Sequence, residues 1–174
     1  MEAHMEFELK TLSPDAVPRA LEKAVRYRLL NEPGEAASIC LDVLAADADN
    51  QEAIATLLLA LTDQFEDEGM AAAALAEVRG CLEGMRDGYA YEYYGGIVWE
   101  RRARARLRRG MPDAGPRAYE WLREAMACFE RAEALRPAGN DDALLRWNAC
   151  ARLIMRDHRL VPAEEERAEI LLLE

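Results

Sequence analysis

A chain of 174 residues is long enough for one domain with its own hydrophobic core. Its composition, 51% apolar and 32% charged with only 10 Gly and 7 Pro, excludes a collagen-like, low-complexity or wholly disordered chain. Ala, Leu, Glu and Arg dominate while Thr and Ile are sparse, so helices are expected and no sheet. The net charge of −11 is uneven: residues 1–100 hold 20 acidic and 7 basic side chains, residues 101–174 hold 13 and 15. An end that acidic repels nucleic acid and anionic lipid at long range and favours basic partners by steering.

The longest strongly apolar run without a charge, Ala53 to Thr62, has ten residues. A membrane-spanning helix needs ~20, so no crossing is expected. The opening MEAHMEFELKTLS lacks the basic and apolar regions of a secretory signal, which points to the cytoplasm. Cys40, Cys81, Cys128 and Cys150 are far apart on apolar helical stripes, with no C-x-x-C pair and only His4 and His158 to join them. Buried reduced thiols are expected rather than disulfides or zinc, and no cofactor is implied.

Taken in chain order, Ser13-Pro14-Asp15 reads as a helix start with a capping hydroxyl, and the first helix runs to about Leu30 on a stripe of Val17, Leu21, Ala24, Val25 and Leu29. Asn-Glu-Pro-Gly at 31–34 breaks it and starts the second, with Ala36, Ile39, Cys40, Val43 and Leu44 on one face. Asn50 caps a third over 51–65, and Glu-Asp-Glu-Gly at 66–69 is the next turn. A fourth over about 70–86 repeats apolar residues at spacings of three and four. The fifth, about 89–109, opens on Tyr89, Tyr91, Tyr93 and Tyr94 and closes on six arginines from Arg101 to Arg109. Gly110 to Pro116 reads as a loop, the sixth helix spans about 117–136 and stops at Pro137, and the seventh spans about 141–156.

Helices arriving in pairs call for a search for internal repeats. The segment Ala125-x-x-x-Phe129-x-x-Ala132-x-x-x-x-Pro137 reproduces the tail of the ~34-residue helix–turn–helix repeat. Ala36, Cys40 and Val43 occupy the corresponding places in residues 31–50, and Tyr91-x-x-Tyr94-Gly95-x-x-Val98 fits the signature of the repeat's first helix. Residues 51–86 fit only in periodicity. On these residues the chain resembles the tetratricopeptide repeat (TPR) family over about 14–156. The resemblance implies an all-α fold, a right-handed α-α superhelix or solenoid of about four helix pairs, because one hairpin cannot bury its apolar face alone. Its parts would be an N-terminal tail over 1–12, the repeat domain over 13–160 and a C-terminal capping helix over 161–174. Gly95 would let the two helices of a pair approach closely, and Ile170, Leu171 and Leu173 would cover the last pair.

In that family a peptide or partner helix binds the concave wall formed by the first helices. Transferring the frame by offset puts Leu21, Val25 and Arg28, then Tyr89, Glu92 and Trp99, then Leu144, Asn148 and Arg152 on that wall. The family's carboxylate clamp uses Lys and Asn where this chain has Leu21 and Val25, so a chaperone-tail binder is not implied. The expected function is a non-enzymatic protein-interaction module acting as scaffold or adaptor. No phosphate loop, nucleophile elbow or metal motif supports catalysis, and His158 and acidic pairs such as Asp141-Asp142 suit helix ends. The alternatives are a self-assembling structural protein and a nucleic-acid-associated regulator using Arg101–Arg109. On a helix those arginines point in nearly every direction, which makes contact with the acidic first half, within the chain or in a neighbouring subunit of a homo-oligomer, the expected use.

Overall fold

The computed structural model describes residues 7–66 and 68–163. Among them are seven α-helices and no strand: α1 Val17–Leu29, α2 Pro33–Ala46, α3 Gln51–Asp63, α4 Glu68–Glu83, α5 Gly88–Arg109, α6 Ala114–Leu135 and α7 Asp142–Arg156. Of the capping helix expected over 161–174, residues 161–163 carry no regular structure and 164–174 lie outside the described residues. No helix is long and apolar enough to cross a membrane among the described residues.

Local chemistry sets most of the boundaries. The Asn50 side chain accepts from the Ala53 amide at 2.9 Å and caps α3. Gly110, at φ 66, ends α5 in the left-handed region that glycine enters without strain. Ser13 precedes a short 3-10 turn, Pro14–Ala16, but its hydroxyl makes no capping bond; its carbonyl accepts from Ala16 instead. The loop read over 110–116 is shorter than expected, because α6 begins at Ala114 and takes Pro116 into its first turn. Amides there have no partner within the helix, so the proline costs nothing.

Each helix packs on the next in sequence, most extensively α5 on α6, and α1 also packs on α3 and α3 on α5. Two cores result. Ala24, Cys40, Leu58, Phe65, Val78 and Val98 belong to the first, and Ile97, Leu122, Phe129, Ala132 and Cys150 to the second. Ile97 and Val98 are adjacent on α5, so that helix faces both cores at once. Leu59 and Tyr94 pack against each and join them. All four cysteines are buried free thiols.

The repeat-packing residues Ala36, Cys40, Val43, Ala125, Phe129 and Ala132 are fully buried. Tyr91 is not: it is 48% exposed, because its side of α5 faces a gap between α4 and α6. Pro137 is exposed just after α6, where it stops the helix. The close approach expected at Gly95 is made one residue later. A Cβ on Gly95 would meet only the Cys128 sulfur, at 3.9 Å, whereas one on Gly96 would stand 2.5–2.9 Å from the Phe129 ring. Gly115 has the same role at the other end of α6, where the Arg159 carbonyl lies against its Cα.

Candidate binding surfaces

The odd-numbered helices are stitched together by ion pairs. Asp63 at the end of α3 takes Arg28 of α1 at 2.8 Å and Arg101 of α5 at 2.7 Å. Arg101 also donates to the Leu59 carbonyl and the Thr62 hydroxyl, so it closes the C-terminal turn of α3. Glu100, one turn face away, is 2% exposed and holds Arg104 at 2.9 Å and Arg146 of α7 at 3.3 Å. A carboxylate that deep survives because two guanidinium groups compensate its lost hydration.

Between α3 and α5 lies a cleft of about 400 Å³ with Ala55, Leu59, Ala90 and Tyr94 among its lining residues, together with the charged Glu52, Arg86 and Asp87. Gln51 shapes it. Its amide donates to the Gly84 carbonyl at 3.2 Å and its oxygen accepts from the Arg86 amide at 3.0 Å, which pins the α4–α5 turn to the start of α3. Burial raises the phenol pKa of Tyr94, so its hydroxyl stays neutral and able to donate.

The nine residues expected on one wall do not share a face. Leu21 is 4% exposed and sits in a small core with Val43 and Ala53, while Val25 is exposed on α1 and Arg28 is held by Asp63. Tyr89 stacks on Tyr93 at 5.6 Å and donates its hydroxyl to Asn140, between α6 and α7, at 3.2 Å, so it packs against the second core. Glu92 and Trp99 turn the other way, towards α4 and α6. On α7, Leu144 and Asn148 are half-buried and Arg152 is exposed. Nothing in the sequence marks Ala55, Leu59 and Ala90, because small or aliphatic helix residues look the same in a cleft as in a core.

The arginine run is engaged within the chain. Arg101 and Arg104 bind as above, Arg106 holds Asp113 at 2.6 Å, and Arg108 holds Glu66 at 2.6 Å. Arg109 donates to the Phe65 and Glu66 carbonyls. Arg102 lies between the rings of Trp99 and Trp121 at 4.8 and 4.4 Å. The expected contact with the acidic first half is therefore made within the chain, through Asp63 and Glu66.

Among the described residues no group of three or more His, Cys, Asp or Glu side chains is arranged to hold a metal ion. No protein-family model matches the chain, and it has no significant match among the curated proteins or the solved structures.

Proposed function

We propose that this protein is a non-enzymatic interaction module of the TPR kind, a short right-handed solenoid in the cytoplasm that binds a peptide or partner helix on the face formed by α1, α3, α5 and α7. The observation that carries this reading is the direct packing of α1 on α3 and of α3 on α5, continued to α7 by the Glu100–Arg146 pair. Successive first helices adjoin in this way when hairpins stack by translation. The α3–α5 cleft gives that face an apolar floor, and Glu52 and Asp87, against a single Arg86 that Asp49 already holds, leave its lining net acidic and suited to a basic peptide. Arg28 and Arg101 act here as braces of the wall rather than as ligand contacts. Five of the six guanidinium groups from Arg101 to Arg109 are bound to carboxylates or carbonyls within the chain, which leaves little of that stretch for a nucleic acid and favours the protein partner.

Affinity purification followed by mass spectrometry identifies the prey, and Ala55→Arg and Ala90→Arg place bulk and positive charge in the cleft. Each should weaken capture by about tenfold or more, the loss of a single well-seated contact. A prey retained undiminished by both folded variants would move the binding face elsewhere.

A further inference from the structure

A second concave surface has the opposite charge to the molecule as a whole. α4 and α6 both lie against α5, and the space between them is a groove of about 390 Å³. Leu75 and Val78 of α4 and Gly95 and Val98 of α5 give it an apolar lining. Over it stand three guanidinium groups, Arg79, Arg102 and Arg131, against one carboxylate, Glu92, which Arg131 already takes at 2.9 Å.

Arg102 carries the argument. It is half-buried between Trp99 and Trp121, and among the described residues no carboxylate lies within ion-pair distance of it. Burial lowers its pKa with no acidic neighbour to offset the effect. The other arginines of the run each meet a carboxylate or a backbone carbonyl. Folding has thus stripped water from one cation and given it two indole faces but no counter-ion, so a carboxylate brought to it would recover electrostatic energy in a partly dry site. The groove follows α5 from Tyr91 to Arg102, about 16 Å at 1.5 Å per residue, or three helical turns. That length and its two helical banks suit a helix laid in a groove.

We infer that the groove between α4 and α6 is a docking site for an acidic amphipathic helix of a partner protein. Its apolar side chains seat on Leu75 and Leu82 of α4 and on Gly95, which keep exposed surface in the groove, and its carboxylates meet Arg102 and Arg79. This face lies across α5 from the α3–α5 cleft, and its basic rim reverses the preference for basic partners that the overall charge implies.

The test uses the full chain and a dye-labelled synthetic helix with leucine at every third or fourth position flanked by glutamate, alongside the same peptide with lysine for glutamate. Anisotropy titrations should show the glutamate peptide binding at least about tenfold more tightly than the lysine peptide, with the difference shrinking as salt is added. Arg102→Gln should weaken the glutamate peptide by about tenfold, as loss of a charged partner does. Gly95→Leu, which puts a side chain into the groove where the nearest atom to a Cβ is 3.9 Å away, should abolish binding while circular dichroism stays helical. Ala55→Arg in the other cleft should leave this binding unchanged, so the two proposals fail separately. No binding of the glutamate peptide, equal binding of the two peptides, or full binding by a folded Gly95→Leu chain would overturn the assignment.

Discussion

Two neighbouring glycines on α5 do opposite things. Gly96 lies against the Phe129 ring, where a methyl group would overlap it, while Gly95 looks into open groove. Gly96→Ala should destabilise the protein by about 1–3 kcal/mol, since overpacking outweighs the gain in helix propensity. Gly95→Ala should be neutral or stabilising by up to ~1 kcal/mol. Denaturant unfolding of the two variants reads this contrast directly, and equal effects would contradict it. Asp157 is a second case of local control. It accepts from the Arg159 guanidinium and amide, and that hydrogen bonding holds its carboxyl down to about 2. Because the folded pKa lies below the unfolded one, the turn's contribution to stability is complete above ~4 and fades as pH falls from there towards about 2. The energy is small for so open a pair. A carboxyl carbon resonance of Asp157 titrating near 4 in the folded protein would refute the claim.

Elements are joined by single polar hubs. Glu100 ties α5 to α7 through Arg146 and steadies its own helix through Arg104. Glu100→Ala would leave the half-buried Arg146 without its carboxylate and should cost about 2–4 kcal/mol, somewhat below the figure for a fully enclosed pair because both arginines reach solvent. Glu100→Gln should cost less, since its amide oxygen still accepts from Arg146. The measurement is the shift in unfolding midpoint. Similar small losses from both substitutions would mean that α7 is held by its apolar contacts alone. The arginines of α5 serve the same end on the other side, closing the last turn of α3 with Arg101 and the segment after it with Arg109.

At the scale of the molecule, the two cores share one helix. Cys40 and Cys81 belong to the first core and Cys150 to the second, while Ile97 and Val98 of α5 divide between them. Burial pushes the thiols of Cys40 and Cys81 up to about 11 and that of Cys150 up to about 12, so all three stay protonated and shielded at pH 8. Disulfide-exchange reagents should therefore label these three only on unfolding, and both cores should open at the same denaturant concentration because α5 cannot leave one without the other. Labelling of Cys150 well before Cys40 would show that the second core melts by itself.

Much of this architecture is legible in the chain because it rests on near neighbours. The Asn50 cap, the Pro137 stop and the apolar faces carrying Cys40, Ala125 and Phe129 depend on residues within a turn or two, so helix existence and most helix ends can be read directly. Pro116 reads as loop because a proline in a first turn looks the same as a proline that forbids a helix. Faces are harder. The spacing groups Glu92 and Trp99 with Tyr89 and gives Gly95 the contact that Gly96 makes, because which side of α5 meets which neighbour depends on how the helix is rotated among the packed helices. Ion-pair partners such as Asp63 with Arg101 lie dozens of residues apart and adjoin only after three helices have packed. Helicity and its punctuation are local free energies summed along the backbone, whereas clefts, grooves and an unpaired Arg102 come into being only when separate helices meet.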